Sequence, residues 1–98
     1  MNLKLQCEEF ESYMVMWRQL YTGVQYLFRF PNGYGASVIK HDGSYGHHDD
    51  LWELGVVKFN SDANDDWNLN YDTSITDDVV GCLTDEEVRD LLQQIKEL

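Results

Sequence analysis

The stretch from Val24 to Phe59 constrains the fold more than any other part of this chain. It reads VQYLFRF, PNGYG, ASVIKH, DGSYGHHDD and then LWELGVVKF. Two alternating apolar runs flank Asn32-Gly33, and a third follows a glycine-rich loop. Asn-Gly accepts positive φ at both central positions of a tight turn, which makes it the clearest local signature of a β-hairpin. An antiparallel sheet is therefore predicted at the centre of the fold. Val24, Tyr26, Phe28 and Phe30 share one face of the first strand, and Gln25, Leu27 and Arg29 share the other. A two-residue turn at Asn32-Gly33 would set Phe30 opposite Gly35, Phe28 opposite Ser37 and Tyr26 opposite Ile39. LWELGVVKF is apolar on both faces, as a central strand is. Trp67, Leu69 and Tyr71 alternate with asparagines and read as a short, half-exposed strand that closes a meander.

Helices are predicted at both ends. Phe10, Tyr13, Met14, Trp17, Leu20 and Tyr21 follow the three-and-four spacing of one helical face, and Thr22-Gly23 supplies a stop. A strand through SYMVMW is the competing reading. At the C-terminus, Thr84-Asp85-Glu86-Glu87 has the form of a capping box, followed by the apolar stripe Val88, Leu91, Leu92, Ile95 and Leu98. Thr76-Asp77-Asp78 before VVGCL reads as a second, shorter helix start. The predicted architecture is a single α+β domain over residues 1–98. It has an N-terminal helix, a three- to four-stranded antiparallel meander sheet and a C-terminal helix packed on one sheet face.

The 98 residues carry a net charge of −11, and the charge is lopsided. Residues 1–48 balance four acids against four bases, whereas residues 49–98 hold fourteen acids against Lys58, Arg89 and Lys96 and so supply the whole −11. Such a field repels nucleic acid phosphates and anionic lipid, and it attracts basic protein surfaces. Direct nucleic acid binding is excluded on this ground. No apolar run approaches the roughly 18 residues of a membrane span. Acidic residues interrupt the N-terminal segment where a signal peptide would be apolar, so a cytoplasmic protein is expected. Cys7 and Cys82 form no CxxC motif and read as reduced thiols.

Several constellations carry residue types suited to chemistry. The loop His41–Asp50 gathers three histidines and three aspartates within ten residues. Imidazole and carboxylate together suit zinc, nickel or iron, which makes a small metal- or ligand-binding enzyme an alternative function. The spacing is not that of a helical HxxxH site, and His47 and His48 would point apart in extended backbone. Asp62, Asn64 and Asp66 copy the start of a calcium loop, but Trp67 stands where the turn glycine belongs and Thr73 where the bidentate glutamate belongs. Gly33-Tyr34-Gly35 and Gly43-Ser44-Tyr45-Gly46 lack the Gly-Lys-Ser/Thr end of a phosphate loop. Ser37 and Ser44 have no nucleophile-elbow context, and acidic or apolar neighbours would raise the pKa of either thiol. No cofactor is expected, and the chain reads as a non-enzyme. The acidic runs Asp49-Asp50, Asp65-Asp66, Asp77-Asp78 and Asp85-Glu86-Glu87 serve in part as caps and turns. Together they also leave half of the chain almost without bases.

The strings NGYGASVI, GSYG, LWELGVV and YDTSITDDVVGCLT resemble a group of small uncharacterised bacteriophage and prophage proteins. The resemblance spans Tyr26 to Leu98, with Gly55 where the group has alanine and Ser74 where it has proline. It implies a phage accessory protein and carries no activity with it. Combined with the charge, it suggests a protein that docks on a basic host or phage protein, as a nucleic acid mimic or inhibitor. A virion or assembly component and a toxin-neutralising immunity protein are the other options. The candidate acidic and aromatic binding surface comprises Tyr34, Tyr45, Trp52, Asp65, Asp66, Tyr71, Asp72, Asp77 and Asp78.

Overall fold

The computed structural model describes Met1–Leu98. Its centre is the antiparallel sheet, in the order β1(Met14–Leu20), β2(Gly23–Arg29), β3(Tyr34–Lys40), β4(Trp52–Phe59) and β5(Trp67–Leu69). A sixth strand, β6(Val80–Leu83), pairs with β4 at Trp52 and Leu54, while β5 pairs with β4 at Val57, Lys58 and Phe59. Two short strands thus share one long edge, and the sheet has six strands rather than the predicted three or four, because Met14–Leu20 and Val80–Leu83 join it. The apolar run LWELGVVKF is central, as its two-faced hydrophobicity predicts. The fold is α+β with one C-terminal helix, α1(Asp85–Lys96).

Three expectations need correction. The N-terminal helix is only a 3₁₀ turn over Glu8–Tyr13, and the chain then runs as β1 against β2. The competing strand reading holds here because pairing with β2 satisfies the backbone groups of Met14–Leu20 that face it and splits the apolar residues between the two sheet faces. A helical stripe would instead have needed a third apolar layer to cover it. Tyr21 opens the two-residue connection to β2 with φ of 53°, the positive value that both favoured hairpin turns require at that position.

The second correction concerns register. Phe28 pairs with Ala36, Leu27 with Ser37 and Tyr26 with Val38, one residue away from the predicted alignment. The connection has three residues, because Phe30 and Tyr34 close it through a 2.8 Å backbone hydrogen bond. Pro31 presets the first turn position and Gly33 takes the left-handed one, at φ of 86°. The third correction is at Val80–Leu83, which is a strand. Its predicted helix start at Thr76-Asp77-Asp78 is a turn in which the Asp78 carboxylate accepts the N–H of Val79 at 2.7 Å.

The main core lies on the sheet face that carries Val24, Tyr26, Phe28 and Phe30, with Ala36, Val38, Trp52, Leu54 and Val56 from the neighbouring strands. Two pieces of chain cover it: the N-terminal segment through Leu5, Cys7 and Phe10, and α1 through Val88, Leu92 and Ile95. The capping box of α1 is complete. The Glu87 N–H donates to Thr84 Oγ1 at 3.2 Å, and the Thr84 N–H donates to Glu87 Oε1 at 3.0 Å. Asp85 also accepts the Trp52 indole N–H at 2.7 Å and the Gln6 N–H at 3.0 Å, which ties the helix start to both the sheet and the N-terminal segment. At the other end, the Asn32 side-chain amide donates to the carbonyls of Ile95, Lys96 and Leu98. The hairpin turn therefore caps the helix C-terminus, where backbone acceptors would otherwise go unpaired.

Candidate functional site

The opposite sheet face has no helix over it. Leu27, Val57 and Phe59 form a small second core there, with Val15, Met16 and Trp67 packed against it. What shelters this cluster is the β4–β5 connection, and Arg29 holds that connection in place. Its guanidinium donates to the carbonyls of Ser61 at 2.7 Å and Ala63 at 3.3 Å, and to Asn64 Oδ1 at 3.2 Å. The same group stacks 4.5 Å above the Phe59 ring. One planar fork thus fixes three points of a polar loop and seats it on an aromatic base. Asn60 braces the far end by donating to Asp66 Oδ1 and Asn68 Oδ1 at 3.2 and 2.8 Å.

Two adjoining hollows open on this face. The larger, about 430 Å³, is lined by Val15, Met16, Arg18, Leu27, Asn64, Asp65 and Trp67. The smaller, about 200 Å³, lies among Leu20, Gln25, Ile39, Glu53, Gly55 and Leu69 and shares Trp67 with the first. Gly55 sets the depth of the second hollow, since a Cβ there would lie 2.6 Å from Leu69 Cδ2. Together they make a groove with a largely apolar lining, to which the larger hollow adds Asp65 and Arg18 and the smaller adds Glu53.

A line of polar groups crosses the groove floor from strand to strand. Arg18 Nε donates to Gln25 Oε1 at 2.7 Å, and Gln25 Nε2 donates to Ser37 Oγ at 2.7 Å. Gln25 is only 4% exposed, so this pairing is what permits an amide in an apolar floor. It also orders the Arg18 side chain at the mouth of the larger hollow. Glu53 is fixed in turn by accepting the Tyr45 backbone N–H at 3.0 Å.

The residues singled out from sequence fall into two groups. Asp65 and Asp66 lie in the β4–β5 connection, and Tyr71, Asp72, Asp77 and Asp78 in the β5–β6 connection, so these six flank the short edge strand β5. All six are exposed. The other three sit elsewhere. Tyr34 begins β3 beneath Lys58, whose ammonium lies 5.1 Å from its ring. Tyr45 is exposed in the β3–β4 connection. Trp52 is fully buried in the main core and belongs to no surface. Its ring packs edge-on to Tyr26 and carries the Lys40 ammonium at 4.1 Å.

The His41–Asp50 loop is tied up in its own folding. His41 Nδ1 accepts the Gly43 N–H at 3.0 Å, and His47 Nδ1 lies 2.6 Å from the Ser44 carbonyl. His47 and His48 do not point apart: both sit in a 3₁₀ turn, with ring centroids 4.0 Å apart. Asp50 takes Lys40 at 3.1 Å and the Asn2 N–H at 2.7 Å. The Asn2 bond, reinforced by Lys40, holds the Asp50 carboxyl below the ordinary aspartate range. No group of three or more His, Cys, Asp or Glu side chains is arranged to hold a metal ion. Cys7 and Cys82 are both free. Burial, with Glu11, Glu8 and Glu9 nearby, pushes the Cys7 thiol up to about 11 and leaves it an inert core group.

Sequence reasoning missed the groove itself, and with it Arg18, Gln25, Arg29, Ser37, Glu53 and Trp67. A signal was present in β2, whose second face reads Gln25, Leu27, Arg29. The small residues Ser37 and Gly55, paired across β3 and β4, repeat it. No helix of the chain is long and apolar enough to cross a membrane. No protein-family model, curated protein or solved structure matches the chain.

Proposed function

We propose that this protein is a non-enzymatic binding module of the phage accessory kind, which docks on a basic partner protein through the groove on its open sheet face. The observation that carries the reading is the composition of that groove: apolar Met16, Leu27 and Trp67 with the carboxylates of Asp65 and Glu53 in its lining, against the single cation Arg18, whose Nε is already bonded to Gln25. An apolar trough takes bulky side chains, and carboxylates in its lining favour lysine or arginine beside them. The wider charge supports the same partner. The protein has 18 acids, yet only Asp50 and Glu9 are in ion pairs, with Lys40 and Arg89. The acids of the β5–β6 connection extend the negative rim beyond the groove.

The carboxylates are divided between the two sides of the sheet. Glu86, Glu87 and Asp90 lie exposed on α1, which covers the other face. This division favours local docking at the groove over imitation of a continuous phosphate backbone. The polar groups in the floor are spent on one another: Ser37 Oγ is bonded to the Gln25 amide and has no base beside it. That arrangement supports recognition rather than nucleophilic catalysis.

The test compares proteins captured from a bacterial extract by the wild-type chain, by Trp67→Ala and by Asp65→Lys. A basic protein retained by wild type, lost on both variants and released as salt rises from about 0.05 to about 0.5 M is expected. Retention by both variants, or enrichment only of neutral partners indifferent to salt, refutes the reading.

A further inference from the structure

The first residues of the chain are held by the fold much as a bound peptide is. Met1–Gln6 precede every regular element and make no backbone–backbone hydrogen bond. Their main chain is held instead by side chains from elsewhere in the molecule. Asp50 accepts the Asn2 N–H at 2.7 Å, and Lys40 donates to the Asn2 carbonyl at 2.7 Å. The Tyr26 hydroxyl donates to the Leu3 carbonyl at 2.7 Å and accepts the Leu5 N–H at 3.4 Å. Asp85 accepts the Gln6 N–H at 3.0 Å, and Arg89 donates to the Gln6 carbonyl at 2.8 Å. Burial alternates along the stretch. Leu5 and Cys7 are buried and Leu3 is half-buried, whereas Asn2, Lys4 and Gln6 are exposed. Three of the anchors, Tyr26, Lys40 and Asp85, also contact Trp52, so the segment crosses a cleft built around that indole.

We propose that this cleft is a peptide-binding site, filled in cis by a strap, Met1–Cys7, that opens and closes while the sheet and α1 stay folded. Its ligand class is an extended peptide with apolar side chains at alternate positions. Selectivity follows from what the cleft reads. The anchoring side chains bond main-chain atoms, which any non-proline residue supplies, and only the positions of Leu3, Leu5 and Cys7 are chosen by burial.

Separate opening follows from what the strap lacks. A strand leaves a sheet only by breaking a ladder of backbone bonds, and the strap belongs to no ladder. Its release gives up side-chain ties and the burial of Leu5 and Cys7, while the rest of the core keeps its contacts. The hinge is the 3₁₀ turn Glu8–Tyr13, whose Phe10 stays in the core. The site lies on the covered face of the sheet and does not depend on what the open groove binds.

Thiol labelling of the full chain tests it. Cys7 is 2% exposed and reports the strap, while the exposed thiol of Cys82 is an internal reference. Cys7 is expected to react far more slowly than Cys82, with a much shallower urea dependence than global unfolding followed by circular dichroism. A synthetic peptide of residues 1–7 carrying Cys7→Ser is then added at about 1 mM. A tethered strap has an effective concentration on the order of millimolar, so this peptide competes and should speed Cys7 labelling at least roughly tenfold. The same peptide with Leu5→Asp should leave the rate unchanged. In the full chain, Tyr26→Phe removes the hydroxyl that bridges Leu3 and Leu5 but keeps the ring against Trp52. It should raise the Cys7 rate severalfold with amide exchange of β2–β4 unaltered. Cys7 labelling with the full urea slope of global unfolding overturns the separate strap. A Cys7 rate that the peptide leaves unchanged in both wild type and Tyr26→Phe overturns the site.

Discussion

Lys40 offers the most direct test of how this fold is held. It is 2% exposed, on the covered face of β3 beside Val38. Its ammonium donates to the Asn2 carbonyl at 2.7 Å and to Asp50 at 3.1 Å, above the Trp52 ring. Two terms of opposite sign meet at this group. Hydrogen bonds from a charged donor contribute about 1.5–3 kcal/mol each, and taking an ammonium out of water costs several kcal/mol. The two nearly cancel, which leaves the packing of the stem as the deciding term. Lys40→Ala removes three buried methylenes at about 0.8 kcal/mol each and leaves a cavity, so a loss of about 3 kcal/mol is expected. Lys40→Met keeps most of the stem and removes the desolvated charge. Asp50 remains half in water, 46% exposed, and stays bonded to Asn2, so no buried orphan charge is created. A loss of about 1 kcal/mol or less is expected for methionine. Urea unfolding at neutral pH, with equal m-values for all three proteins, measures both differences. In a domain of this size the alanine variant should melt roughly 12–20 °C lower. If methionine costs as much as alanine, the ion pair and its cation–π contact dominate, and the cancellation argued above is wrong.

Two further outcomes follow from the same geometry. Arg29→Met keeps a stem over Phe59 but loses three hydrogen bonds to the β4–β5 connection, so amide exchange of Ser61–Asp66 should rise sharply. Stability should fall by only about 1–2 kcal/mol because those bonds are exposed, and a larger loss that unfolds the whole sheet would show that Arg29 is not a local clamp. Asp50 has a folded pKa below its unfolded value of about 3.9, so its contribution is fully present above that value and disappears as pH falls through the folded one. The melting-temperature gap between wild type and Asp50→Asn should hold constant from about pH 7 to 5 and close below about pH 4; a gap that widens on acidification would reverse the assigned sign.

Much of the fold is legible in local sequence. The alternation in β2, the two-faced hydrophobicity of β4 and the Thr84–Glu87 box each specify an element whose partners are set by short-range chemistry. Where an element depends on what lies beside it in space, local pattern misleads. Met14–Leu20 has helical spacing but becomes a strand because β2 offers it a ladder of backbone partners. Val80–Leu83 is a strand for the same reason, on the free half of β4. The hairpin slipped by one residue because Pro31 joined the turn, a choice between two turns that both suit Asn-Gly.

Hydrophobic period and turn residues by themselves determined that this protein has an antiparallel sheet with one helix started by Thr84, and composition that its net charge comes from the second half. Only the tertiary structure decided that one sheet face is covered and the other left open, because cover is a matter of which distant segments arrive there. It also turned Trp52 from a surface candidate into a core residue and drew Arg18, Gln25 and Ser37 from three strands into one line. Such groupings follow from strand register, which places residues far apart in sequence on a common face, and no local pattern encodes that.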